Sequence, residues 1–68
     1  MSMNPREIAR AREKLRRAEG LMDGVRSIAL HSGSYGIARL ANSALGLIFD
    51  ILRELDALER ALRMRGKP

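Results

Sequence analysis

The chain has 68 residues, with 13 Lys and Arg against 8 Asp and Glu, no Cys and a net charge of +5. This length corresponds to one small domain over residues 1–68, and the lack of Cys excludes disulfides and thiolate metal sites. An apolar fraction of 46% is too high for a disordered chain, and a charged fraction of 31% is too high for a membrane protein. We therefore expect a small helical protein that stabilises itself by oligomerising.

The first predicted helix spans residues 5–31. Asn4 is a typical N-cap, Pro5 suits the first helical position, and Glu7 completes a capping box. Apolar residues then recur at alternating steps of three and four, the heptad pattern of a helix that packs along one face. This predicted core consists of Ile8, Ala11, Leu15, Ala18, Met22, Val25 and Ala29. The first helix also contains Gly20 and Gly24. These glycines indicate either a bend or a close backbone contact, or they are simply tolerated within a packed helix.

A second helix is predicted over residues 35–64, after a cluster of turn residues in which Gly33 suits the C′ position of the first helix. Its apolar residues also step by three and four. The predicted core positions are Ile37, Ala41, Ala44, Ile48, Ile51, Leu55, Leu58 and Leu62. Two long helices joined by a short turn bury such faces by folding back on each other. The predicted fold is an all-α antiparallel two-helix hairpin.

Further apolar residues lie beside the predicted core of the second helix and indicate burial on more than one side. We expect them to form a homodimer interface that joins two hairpins into a four-helix bundle. The alternative is a monomer that keeps this surface for a different protein. The predicted dimer interface consists of Leu40, Leu45, Leu47, Phe49 and Leu52.

Catalysis, metal binding and cofactor binding find little support in the sequence. His31 is the only histidine, no Glu-x-x-His pair is present, and a two-helix rod brings few polar groups into a pocket. We predict no catalytic, metal-binding or cofactor-binding residues and no enzymatic activity.

Basic residues cluster over residues 10–17 of the first helix, which suits contacts to phosphates. A basic nucleic-acid-binding or nucleoid-type protein is therefore the alternative function. Tyr35 and Phe49 are the only aromatic residues, so single strands have little to stack on, and we expect binding to nucleic acid to be weak and unspecific. Helix pairing explains the apolar faces better than a membrane does, and the first residues lack a secretory pattern, so we expect a cytoplasmic location.

A protein-binding role fits the sequence best. Tyr35 is the one large side chain of the turn, and Tyr and Arg are enriched among binding hot spots. The candidate residues are His31, Tyr35 and Arg39 at the turn and Arg16 and Arg17 on the first helix. At least one of the two arginines is expected to pair with Asp50, which leaves the other free. In the alternative interpretation, Tyr35 folds back onto its own helix end.

In size, Arg-, Ala- and Leu-rich composition and hairpin format, with two heptad seams around the turn Ser32–Gly36, the chain resembles small phage-encoded helical-hairpin proteins that inhibit host regulators. The quorum-sensing anti-activators of Pseudomonas phages are of this type. The resemblance covers the whole chain as a format and carries over no functional residue. It implies a dimer that occupies the surface of a host transcription activator or of another host protein.

Overall fold

A computed structural model describes residues 3–65 and contains two helices. Helix α1 spans Pro5–His31 and helix α2 spans Tyr35–Arg65, with three residues between them. They fold back on each other into a rod of 56 × 18 × 15 Å, and the described residues contain no strand. The prediction of an all-α helical hairpin is confirmed, with both helix boundaries within one residue of those predicted. The predicted stop at Gly66–Pro68 lies outside the described residues.

The start of α1 is fixed by the local sequence. The Asn4 side chain accepts a hydrogen bond of 2.9 Å from the backbone N–H of Glu7, and the Glu7 carboxylate accepts one of 3.2 Å from the N–H of Asn4. Pro5 follows as the first helical residue. An N–H at this position would have no acceptor within the helix, so the missing N–H of proline costs no helical hydrogen bond. The predicted capping box is therefore present, and it satisfies two backbone donors that a helix start leaves free.

The turn between the helices is a Schellman motif, a pair of backbone hydrogen bonds that closes a helix end. The N–H of Ser34 donates to the carbonyl of Ala29 at 2.8 Å, and the N–H of Gly33 donates to that of Leu30 at 3.3 Å. Gly33 has a φ of 75°, in the left-handed region that favours glycine. These bonds fix the direction of the chain as it enters α2, so the turn end is a defined surface.

The core face of α1 matches its prediction in part. Ile8 is fully buried and Ala29 nearly so, but four of the five predicted core residues between them are half-buried and the fifth, Val25, is just exposed. Gly20 and Gly24 lie within one continuous helix, and a Cβ atom added at either position would meet nothing within 4 Å. The close contact considered for these glycines is therefore absent within the hairpin.

The core face of α2 differs from its prediction. Ala41, Ile48 and Leu55 are buried as predicted, but Ile37 and Ile51 are exposed, and Ala44 and Leu58 are only half-buried. Their places in the core are taken by residues one position later in each heptad. The buried residues of α2 are Ala38, Ala41, Leu45, Ile48, Leu52 and Leu55.

This shift corrects the predicted dimer interface as well. Leu45 and Leu52 are 5% and 6% exposed within a single hairpin, so they pack on α1 and are not free for a second copy. Leu40, Leu47 and Phe49 are exposed, but Phe49 lies on the opposite flank of the core from the two leucines. The five residues do not form one surface.

Helix α2 contains one 18-residue window with a mean hydropathy of 1.2, which by length and composition alone passes for a membrane-crossing helix. Mostly buried core helices of proteins in water pass the same test, but only 28% of this window is buried within the hairpin. The helix owes its apolarity to two neighbouring rows, one buried against α1 and one exposed.

Candidate protein-binding surfaces

The turn end presents the most exposed aromatic side chain of the molecule. Tyr35 is the first residue of α2 and is 68% exposed, so it does not fold back as a cover on its own helix. Arg39 lies one turn further along α2, is also exposed, and forms no ion pair with another residue of 3–65. A Tyr and an unpaired Arg one helical turn apart offer a partner a flat apolar ring beside a charged hydrogen-bond donor.

His31 closes α1 at the same end. Its Nδ1 lies 2.8 Å from the backbone carbonyl oxygen of Ser27, a contact in which a protonated Nδ1 donates. The Ser32 hydroxyl donates to the carbonyl of Ile28 at 2.8 Å. The Ile28 carbonyl also accepts the backbone N–H of Ser32 at 3.0 Å, so the Ser32 hydroxyl adds a second hydrogen bond at this end of α1. The predicted residues His31, Tyr35 and Arg39 do lie together at one end of the rod.

Arg16 and Arg17 belong to a different part of the surface. Arg16 pairs with Glu19 at 3.1 Å and Arg17 with Glu13 at 3.8 Å, both within α1. The predicted pairing of one of them with Asp50 is wrong, because Asp50 pairs with a neighbour in its own helix. At about 1.5 Å per helical residue, Arg16 and Arg17 lie roughly 20 Å from the turn end. The predicted partner-binding residues thus form two surfaces.

The ion pair that does join the helices is formed by Arg12. Its guanidinium donates to Asp56 at 2.7 Å and to Glu59 at 3.1 Å, and the Arg12 and Glu59 side chains are each 28% exposed. The hydrogen bond to Glu59, together with the charges of Glu59 and Asp56, raises the pKa of Arg12 above its ordinary value. One cation of the basic cluster is therefore neutralised by α2, while Arg10 and Lys14 form no ion pair within residues 3–65.

A second cross-helix contact lies on the same flank. Arg26 donates to the side-chain oxygen of Asn42 at 3.1 Å and also pairs with Asp23. We call this flank, with its Arg12 and Arg26 contacts, the polar side of the hairpin. It also holds a cleft of about 600 Å³ between the helices, which the sequence analysis did not anticipate. The cleft is lined by Arg16, Glu19, Gly20, Asp23, Arg26, Asn42, Leu45, Gly46 and Phe49.

The sequence carries only a weak signal for this cleft, one glycine on each helix. Gly20 on α1 and Gly46 on α2 both line it, and neither has a side chain to fill the space. Phe49 forms part of its wall and remains 43% exposed. Two glycines on different helices indicate a shared gap only once the pairing of the helices is known, so the sequence alone did not reveal it.

The other flank of the hairpin, which we call the apolar strip, carries large exposed side chains. Leu21 and Ile28 lie seven residues apart on α1 and are 69% and 70% exposed. Val25 and Ile28 line a shallow groove together with Ile37, so the exposed rows of the two helices lie side by side. The apolar strip consists of Leu21, Gly24 and Ile28 on α1 and Ile37, Leu40, Ala44, Leu47 and Ile51 on α2.

The described residues hold few of the features that usually mark a catalytic or metal centre. Within residues 3–65 no three Asp, Glu or His side chains cluster as metal ligands, and no polar or charged residue is buried. The absence of enzymatic activity stays a prediction.

No family model, curated protein or solved structure matches the sequence.

Proposed function

We propose that the protein is a non-enzymatic interaction module of the cytoplasm, a homodimer of helical hairpins that binds a partner protein and modulates its action. The observation that carries this proposal is the exposure of Tyr35 on a turn held by backbone hydrogen bonds, beside Arg39. An aromatic side chain on a rigid support contributes contact area with little loss of conformational entropy on binding. The turn end is therefore the proposed contact surface for a partner.

The format resemblance to phage-encoded inhibitors supports two narrower proposals. The partner is a host protein such as a transcription regulator, and binding inhibits it. The exposed acidic residues of α2 are spread among arginines, and the chain carries a net charge of +5, so the proposed mechanism is not mimicry of DNA. In the proposed mechanism, the turn end occupies a surface of the partner protein.

Capture of partners from the native host with tagged protein tests the proposal. We expect Tyr35→Ala to weaken binding to the captured partner by more than about 1 kcal/mol while leaving the melting temperature unchanged. Met64→Ala is the control, because Met64 is at least as exposed as Tyr35 (76% against 68%) but lies near the other end of the rod. Equal affinity of the two variants would contradict a turn-end site, and a large drop in melting temperature for Tyr35→Ala would make the residue structural.

A nucleic-acid-binding protein is the second candidate, favoured by the exposed cations Arg10, Lys14 and Arg17 on α1. Titration of duplex DNA at two salt concentrations distinguishes the candidates. We expect weak binding that falls steeply with salt and does not depend on base sequence. Tight, sequence-dependent binding at physiological salt would favour this second function over the first.

A further inference from the structure

We propose that a second copy of this chain docks antiparallel on the apolar strip, with the twofold axis passing at the level of Gly24 and Ala44. Self-association belongs to the function proposed above, but the predicted interface does not describe it, since two of its five residues are in the core. The dimer interface lies instead on the apolar strip, which is a different and continuous surface.

The exposed area of the strip matches what a dimer needs. Its six large residues expose on the order of 700 Å² per chain, close to the roughly 800 Å² that each partner contributes to a standard interface. A typical monomer exposes no apolar patch larger than about 300–600 Å². Burying one strip on another would remove this surface from water in both copies at once.

The order of residues along α2 is nearly the same in both directions. Ala44 has Leu40 and Leu47 on either side, and Ile37 and Ile51 each lie seven residues away. An antiparallel copy therefore brings Leu40 opposite the second copy's Leu47, and Ile37 opposite its Ile51. A twofold interface requires this kind of self-complementarity, because each contact occurs twice with the roles of the two copies exchanged.

Helix α1 has the same arrangement at the same level. Leu21 and Ile28 lie on either side of Gly24, three and four residues away. Arg26 is opposite Asn42 in the hairpin, so moving two residues back along α1 and two forward along α2 places Gly24 level with Ala44. The smallest residues of both rows therefore meet at the proposed axis, where two helices cross most closely.

The dimer also accounts for a glycine that the hairpin does not need. Gly24 has an ordinary helical conformation, and a Cβ atom there would meet nothing within 4 Å of the single chain. Glycine in a helix interior destabilises it by about 1 kcal/mol relative to alanine. Close approach of the second copy gives this position a reason to remain small, as small residues do where helices pack tightly.

The two open glycines of α1 provide a matched test by light scattering. We expect the wild type at 50–100 µM to have twice the 7.6 kDa mass of the chain. Gly24→Glu, on the strip, should weaken self-association at least tenfold, whereas Gly20→Glu, off the strip, should leave it unchanged. Both replacements favour the helix, so misfolding does not confound the comparison. A monomeric wild type, or equal effects of the two variants, would overturn the proposal.

Cross-linking tests the position of the axis independently, because the chain has no native cysteine. Ala44→Cys should be trapped as a covalent dimer by oxidation or by a short bis-maleimide, since the two copies of residue 44 face each other. Gly46→Cys, two residues away on the polar side of α2 and with open space around it, should not. Equal trapping at both positions, or trapping at residue 46 alone, would place the contact elsewhere and refute this arrangement.

A membrane surface is the main alternative occupant of the strip. Sedimentation with vesicles of phosphatidylcholine and phosphatidylserine tests it. If the wild type is monomeric in solution and sediments with the vesicles, and Gly24→Glu abolishes sedimentation, the strip binds lipid and the dimer proposal fails. Failure of the proposed function is seen separately, as loss of the distinction between Tyr35→Ala and its control in partner capture.

Discussion

The two flanks of the hairpin have equivalent positions in the heptad pattern but opposite chemistry. On the polar side, Arg12 and Arg26 reach across the interface to acceptors on α2. On the apolar strip, the corresponding positions hold residues such as Leu21 and Ile37, which remain exposed. One flank thus completes its contacts within the chain, and the other offers surface for contacts outside it.

The comparison shows that burial beside a helix–helix core does not follow from apolarity alone. Two helices can cover only one row of each other, so the rows on either side of the core stay accessible. Polar residues there form hydrogen bonds that orient the pair, whereas apolar residues there gain most from a further helix. Substitutions in the core, the strip, the turn and the polar side test this division.

The core separates the two flanks, and its loss should have the largest effect. Leu45→Ala removes a side chain that is buried within the single hairpin, and we expect it to lower the free energy of unfolding by about 2–5 kcal/mol. Leu40→Ala, at an exposed position of the strip, is the control. Urea unfolding of dilute protein measures both, and equal losses would mean that the core and the strip are not distinct.

Only the strip should make stability depend on protein concentration. A hundredfold increase in concentration should stabilise a self-associating wild type by on the order of 2–3 kcal/mol, seen as a rise of several degrees in melting temperature. Leu47→Glu should abolish this rise. Phe49→Glu, an equally drastic change on the polar side, should preserve it, and loss of the rise in both variants would contradict the assignment of the two sides.

The turn fixes how the flanks are aligned, and its glycine should contribute a moderate amount. Gly33→Ala forces a Cβ atom into the left-handed conformation and should destabilise the hairpin by about 1–2 kcal/mol. Gly36→Ala, three residues later within α2 and with open space around it, should be neutral or stabilising. Thermal unfolding distinguishes them, and similar shifts for both would remove the special role of Gly33.

The smallest effect is expected from the ion pairs of the polar side. Arg12→Ala should lower the melting temperature more than Arg17→Ala, because Arg12 joins the two helices and Arg17 contacts only its own. High salt should reduce the difference, since it screens the partly exposed charges. A larger effect of Arg17→Ala, measured by the same thermal scans, would show that the cross-helix pair does not stabilise the hairpin.

The candidate surface at the turn was predictable from sequence because its residues are neighbours along the chain. Tyr35 is flanked by Ser34 and Gly36, which are too small to cover it, and the structure leaves it exposed. The cross-helix partners were not predictable in the same way. Arg16 and Arg17 were expected to lie level with Asp50, yet the cation that pairs across the helices is Arg12, with Asp56 and Glu59.

The helices and the turn follow from the amino-acid sequence alone, because the signals that begin and end them are local. Asn4 with Glu7 supplies the capping box, and Gly33 supplies the left-handed residue that the Schellman motif needs. The heptad spacing then requires the two helices to pair, since neither can bury its apolar face alone. The hairpin follows from these features without knowledge of distant contacts.

The row of α2 that faces α1, by contrast, is set by contacts between the two helices. Ala41, Ile48 and Leu55 are flanked by apolar rows on both sides, so two choices of core were nearly equal in hydrophobicity. A rotation of α2 about its own axis by roughly half of the ~100° between successive residues exchanges one core for the other. The row Ala38, Leu45 and Leu52 is buried in the structure, an arrangement that also brings Asn42 and Asp56 to Arg26 and Arg12. Contacts between distant residues accompany this choice, and no local pattern on α2 encodes them.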